Sequence, residues 1–174
     1  MSVNWIKSFI VSLVVLVLVA PLKIEVSGAM LTLQTFVITT ASIIFGVPAL
    51  AAVLVYIGLG LLGAPTWSGY HIDPHILQSD SVGFIVGFVA LSLFMISVRS
   101  SAQTISGAVI YSLVGHAVLL VIAQVVCEIL ERGTEIIPEN LTLFITGAMI
   151  KSTLVALVIY IINRVKPDIL AEDE

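Results

Sequence analysis

Lys151 is the eighth residue of the apolar stretch FITGAMIKSTLVALVIYIIN, residues 144–163. A cation at that depth in hydrocarbon is disfavoured by roughly 2.5 to 3.5 kcal/mol on insertion scales, so something must offset it. One reading is snorkelling, but the side chain would have to climb further than its own length to regain the interface. A second is a permanent ion pair, with Glu128 near the end of the preceding apolar segment as the nearest candidate. The third is an aqueous cavity in which the ammonium meets an anionic or strongly polar solute. The cavity is the expectation here, with the ion pair and snorkelling as alternatives. Gln34, Thr35, Asp80, Gln124 and Glu128 would line it, since each lies toward the same end of its segment as Lys151. The uncharged members of that set serve equally well as hydrogen-bonding glue between helices.

Other chemistry is thinly represented. His116 falls near the middle of an apolar segment and reads as a packing or hydrogen-bonding residue. HIDPH, His71 to His75, brings two imidazoles and an acid together. Pro74 opposes the helix that would align the two rings, and no third or fourth ligand is evident, so a membrane enzyme with a surface metal site at His71 and His75 is only an alternative. No HExxH, GxSxG, P-loop or dinucleotide fingerprint occurs, so no catalytic residue, metal or cofactor is expected and the chain has no visible energy source of its own. The single cysteine, Cys127, reads as a small packing residue.

The elements that hold these residues follow from composition. Hydrophobic residues make up 59% of 174, charged residues 10%, and the net charge is −4; the mean hydropathy is +1.19. Such a chain lacks the polar residues to cover a water-soluble core and reads as an integral membrane protein. Seven basic residues form no patch, which excludes nucleic acid as a partner. Lys7 before an apolar run imitates a secretion signal, but Pro21 after Ala20 makes a poor cleavage site, and no cleavage is expected.

Six spans are expected, at about 6–24, 29–46, 48–64, 81–98, 104–130 and 141–163. Runs this long are helices rather than barrel strands, which alternate over about ten residues. The reading is therefore an all-α membrane protein, a compact six-helix bundle forming one domain over 1–174. With the N-terminus in the cytoplasm, Lys7, Arg99, Arg164 and Lys166 fall inside and Lys23 and Arg132 outside. That bias places both termini in the cytoplasm of a multi-pass plasma-membrane protein, residues 66–80 in an extracellular loop, and 165–174 in an acidic cytoplasmic tail. Gly83 and Gly87, four apart, and Gly58, Gly60 and Gly63 read as sites of close helix packing.

Several stretches stand in a familiar order: LTLQTF (31–36), AAVLVYIGLGLLGAPTWSG (51–69), GFIVGF (83–88) and TGAMIK (146–151). Together they resemble the BioY family, whose pattern reads roughly PFTLQTF, a tyrosine-containing helix ending LGxPxFxGG, GPTGGYLxGF and PGDxxK. The resemblance implies a biotin-binding S component of an energy-coupling factor transporter, with biotin as ligand and a membrane coupling subunit and two cytoplasmic ATPases as partners. It carries Lys151 onto the lysine of PGDxxK, Thr32, Gln34 and Thr35 onto a loop over the pocket, and Tyr56 onto the third helix. Ala148 replaces the family aspartate, Thr146 the proline, and SDSVG the segment GPTGG. Either Asp80 or Glu128 then substitutes for the lost carboxylate, or the cargo is a different small vitamin or anionic solute. The first span has Ser8 and Ser12 where S components carry small alanines for contact with the coupling subunit.

Overall fold

A computed structural model describes residues 3–26, 29–131 and 141–165. The acidic tail beyond Val165 and the connection holding Arg132, Glu135 and Glu139 lie outside the described residues. The elements run α1 (Val3–Val19), β1 (Lys23–Val26), β2 (Ala29–Thr32), α2 (Gln34–Phe45), α3 (Val47–Leu61), a 3-10 turn (Ile76–Gln78), α4 (Ser81–Ser97), α5 (Arg99–Ala102), α6 (Ile105–Ile129) and α7 (Leu141–Val165).

The six expected spans correspond to the six long helices, with two corrections. First, the end of the first span and the start of the second form an antiparallel hairpin, Lys23 opposite Thr32 and Ile24 opposite Leu31. Pro21 lacks the N–H that would continue α1, and Lys-Ile-Glu-Val alternates polar with apolar residues at the strand period. Second, α2 has 12 residues and α3 has 15. At about 1.5 Å per residue neither reaches across roughly 30 Å of hydrocarbon. Among the described residues only α6 and α7 are both long and apolar enough to cross alone.

Helix α2 lies in the middle, against α1, α3, α4 and α7. It buries Gln34, Thr35, Val37, Ile38, Thr39, Ala41, Ser42, Ile43 and Ile44. The break into α3 falls at Gly46, whose φ of 61° suits glycine, and Pro48 occupies the first turn of α3. Arg99 on α5 closes this end: its Nε donates to the Ile43 carbonyl at 2.8 Å and Nη2 to that of Ile44 at 2.7 Å. These carbonyls have no partner within α2, so a cation there satisfies the helix end.

Helix α6 packs between α4 and α7. A Cβ on Gly83 would stand 2.5 Å from the Ala123 carbonyl oxygen, and one on Gly87 3.1 Å from Leu119. Small residues here allow the two backbones to meet, as expected. Gly60 is equally enclosed, with Trp67 and Thr66 against it, whereas Gly58 faces open space and Gly63 (φ 92°) makes a turn. The packing reading therefore holds for Gly60 and not for its two neighbours.

The bundle has a polar-flecked interior and an apolar exterior. Ser42 and Ser92 pair across α2 and α4 at 2.8 Å, while Leu93, Val121, Val125 and Ile161 are exposed. That inversion is the pattern lipid demands. Ser12 is 1% exposed, because α1 turns this face onto α2 and α3. The Ser8–Ser12 pair consequently forms no exposed strip of small residues.

Candidate functional site

A cavity of about 460 Å³ occupies the end of the bundle that carries the hairpin and the connection between α3 and α4. Its size lies within the usual range for small-molecule sites, about 300 to 1,000 Å³. Five parts of the chain enclose it. The hairpin and first turn of α2 contribute Leu31, Thr32, Gln34 and Thr35; the α3–α4 connection adds Trp67, Ser68 and Ile76. Helix α4 supplies Ser81, Phe84, Ile85 and Phe88, α6 supplies His116, Leu119 and Leu120, and α7 supplies Phe144 and Lys151. The described walls are mainly aromatic and aliphatic, and no Asp or Glu is among the described lining residues.

Local chemistry explains why these segments converge. Leu31 rests on α7 where Gly147 has no side chain: a Cβ there would lie 2.6 Å from Leu31 Cδ2. The Leu33 N–H donates to the Leu22 carbonyl at 3.1 Å, closing the base of the hairpin between α1 and α2. The α3–α4 connection is held down by the Gly69 N–H donating to the Pro21 carbonyl at 2.6 Å and by the Tyr70 hydroxyl donating to the Leu18 carbonyl.

The polar groups gather on one wall. Lys151 lies ten residues into α7, about 15 Å from its start, and its Nζ donates to Thr35 Oγ1 at 3.0 Å. The same oxygen is 3.1 Å from His116 Nε2. His116 Nδ1 stands 2.8 Å from the Ser112 carbonyl. Gln34 Nε2 donates to the Tyr56 hydroxyl at 3.0 Å, and that hydroxyl donates to the Thr66 carbonyl. Among the described residues Thr35 is the hydrogen-bond partner of Lys151, and the ammonium has no carboxylate.

Of the eight residues anticipated at this site, Lys151, Gln34, Thr35 and Thr32 line the cavity together. Tyr56 stands behind Gln34 and orients it. Asp80, Gln124 and Glu128 do not line the cavity. Helix α6 presents His116, Leu119 and Leu120; each further step of four overshoots a full turn by about 40°, which carries 124 and 128 off that face. Gln124 instead donates to Glu128 Oε1 at 3.0 Å, so the Lys151–Glu128 pair does not form and neither acid takes the place of the aspartate missing at 148. Asp80 stands just before α4 without a side-chain capping bond, and its carbonyl accepts from Cys127 Sγ at 3.4 Å; the neighbouring Ser81 lines the cavity. His71 and His75 are exposed, and no metal-binding group of three is present among the described residues.

The sequence reading did not anticipate the apolar walls. Phe84 and Phe88 are four apart on the helix that bears Gly83 and Gly87, a spacing that marks one face. Trp67 gave no such signal, because its place depends on a loop folding back over α3. His116 was expected to hydrogen-bond, and it does so while also facing the cavity.

The BioY family profile matches residues 2–168. No curated protein matches. Among solved structures, the crystal structure of an S-component for biotin from an ECF-type ABC transporter is similar, with a TM-score of 0.68 at 16% identity over 94% of this chain and 95% of that one. At that identity the likeness speaks for the fold. The profile match over nearly the whole length carries the assignment: the chain belongs to the BioY family, and is thus a membrane-borne transport component rather than an enzyme.

Proposed function

We propose that this chain captures biotin, or a vitamin of the same build, as the S component of an energy-coupling factor transporter. The observation that carries the reading is Lys151: an ammonium bonded to one hydroxyl, in a mainly apolar cavity whose described walls hold no acid. A ligand with an apolar body and a carboxylate matches both halves of that cavity. The first turn of α2 adds to the match, since Leu33 at its cap makes no side-chain hydrogen bond and the helix end favours negative charge. Thr32, Gln34 and Thr35 bind with Lys151, and Tyr56 supports them. The similar biotin S-component supports biotin as the first ligand to try.

In this reading the hairpin and the α3–α4 connection face outward, both termini lie in the cytoplasm, and the chain sits in the plasma membrane. It relies on a coupling membrane subunit and two ATPases for energy. Ala148, where the family carries aspartate, is the position behind the alternative, a different small vitamin or anionic solute.

The test is binding of labelled biotin to the purified protein in detergent. A ligand at a hundred times its dissociation constant raises native stability by about 2.7 kcal/mol, visible as a thermal shift. Lys151→Met should abolish the shift. It should also raise the stability of the unliganded protein by about 1 kcal/mol, the relief of a buried cation less one hydrogen bond. Equal biotin binding by both proteins would remove Lys151 from the site.

A further inference from the structure

We propose that His116 is a positioning residue that sets the preference of the cavity for an acid over the corresponding neutral ligand, acting through Thr35 on Lys151. The inference rests on the proposed reading of the cavity as a vitamin site, and it concerns a side chain that the reading does not use.

The Ser112 carbonyl can only accept, so at 2.8 Å the His116 Nδ1 carries a proton. The Lys151 ammonium can only donate, so at 3.0 Å it occupies a lone pair of Thr35 Oγ1. Thr35 therefore has its own hydroxyl hydrogen to give, and His116 Nε2 lies 3.1 Å away. A bare Nε2 accepts it. An imidazolium would instead present a second cationic donor to the oxygen already facing the ammonium, which Coulomb repulsion opposes. The result is a chain of one sense, from ammonium to hydroxyl to imidazole to main-chain carbonyl.

That chain fixes what the ligand meets. Thr35 sits in the first turn of a helix and could turn its hydroxyl elsewhere; the imidazole, itself buried and bonded to the Ser112 carbonyl, gives that hydroxyl its acceptor. With the oxygen so aimed, the ammonium is held by one of its three N–H groups and offers the other two to the cavity. A carboxylate takes both. A primary amide at the same place offers one oxygen, and its own N–H groups find no acid among the described walls. Preference for the acid thus depends on a residue of the wall that acts through Thr35 on the ammonium.

Two measurements on the full chain in nanodiscs test this. The first is the nitrogen spectrum of protein labelled at histidine, without ligand. The chain has three histidines, and the spectrum of His116→Gln identifies the buried one. The expected signature is a protonated Nδ1 and a bare Nε2; protonation at Nε2 overturns the proposal. The second compares biotin with its primary amide. His116→Leu and Thr35→Val should each reduce the acid-to-amide preference by at least about tenfold, the worth of a hydrogen bond to a charged group. Thr35→Ser and His116→Gln keep an acceptor and hydroxyl in sequence and should retain most of it. An unchanged ratio in the first two variants overturns the proposal. If the native protein binds neither compound, the vitamin reading fails, and the nitrogen spectrum still decides whether the chain of hydrogens exists.

Discussion

Replacing Tyr56 by Phe removes one oxygen from the wall behind the cavity and leaves the ring in place. Tyr56 is fully buried, and its ring meets Trp67 edge to face at 6.3 Å and 73°, a contact phenylalanine preserves. The lost hydroxyl accepts from Gln34 and donates to the carbonyl of Thr66, residues 6% and 1% exposed. A buried group left without its partner costs about 1 to 3 kcal/mol. The Gln34 amide borders the cavity and can turn toward water, so it contributes the lower figure, whereas the Thr66 carbonyl has no such escape. The expected loss is about 2 to 4 kcal/mol in the unfolding free energy of the purified protein in mixed micelles. A cycle with Gln34→Ala should give a coupling of about 1 kcal/mol, since the two single changes delete the same bond. A loss below about 0.5 kcal/mol, or strict additivity in that cycle, would refute the claim that Tyr56 anchors Gln34.

Two further outcomes follow from the packing. Gly83→Ala forces a methyl to within 2.5 Å of the Ala123 carbonyl and should cost about 1 to 3 kcal/mol, whereas Gly58→Ala, with nothing within 4 Å, should be neutral or add about 0.5 to 1 kcal/mol; unfolding of the two proteins side by side compares them. Arg99→Met releases the Ile43 and Ile44 carbonyls and should destabilise by about 2 to 3 kcal/mol, with Arg99→Lys recovering no more than about half because the single nitrogen of lysine lacks the rigid planar fork whose Nε and Nη2 reach the two carbonyls.

What was legible in the sequence divides along a physical line. Helix position depends on composition over fifteen or more residues, which lipid makes stringent, so the six long helices were visible in the apolar runs. Local exceptions to that average were not. Residues 23–32 are apolar enough to extend a helix, and only the period-2 alternation of Lys23 to Val26 with Pro21 ahead of it distinguishes a strand. Lys151 stood out because a charge in hydrocarbon demands a reason wherever its neighbours lie. Its partner was less visible, because Thr35 and Lys151 are 116 positions apart and a threonine in an apolar helix has many uses. Asp80, Gln124 and Glu128 were drawn in by nearness to the same end of the bundle as Lys151. Depth is readable from residue number, but the side of a helix that faces a cavity depends on packing angles that no single segment encodes.

Ala148 is where family pattern and structure pull apart, and restoring the acid separates two accounts of Lys151. The residue is 6% exposed and three positions before Lys151 on α7, where side chains are neighbours. A carboxylate there would be buried beside a single cation, and the two would pair, because leaving either alone in that setting costs several kcal/mol. If the ammonium is the seat of the ligand's negative charge, Ala148→Asp occupies that seat from within. Biotin affinity should fall by at least about tenfold, the equivalent of about 1.4 kcal/mol, while affinity for the biotin amide holds or rises because its N–H groups gain an acceptor. Ala148→Asn, similar in size and uncharged, isolates the charge from the added bulk. Tighter binding of biotin by Ala148→Asp than by the native chain would mean that the ligand's carboxylate lies elsewhere and that Lys151 serves a neutral polar group. The inversion of acid and amide preference is therefore the measurement that tells a charge-matching cavity from one that reads only shape and hydrogen bonds.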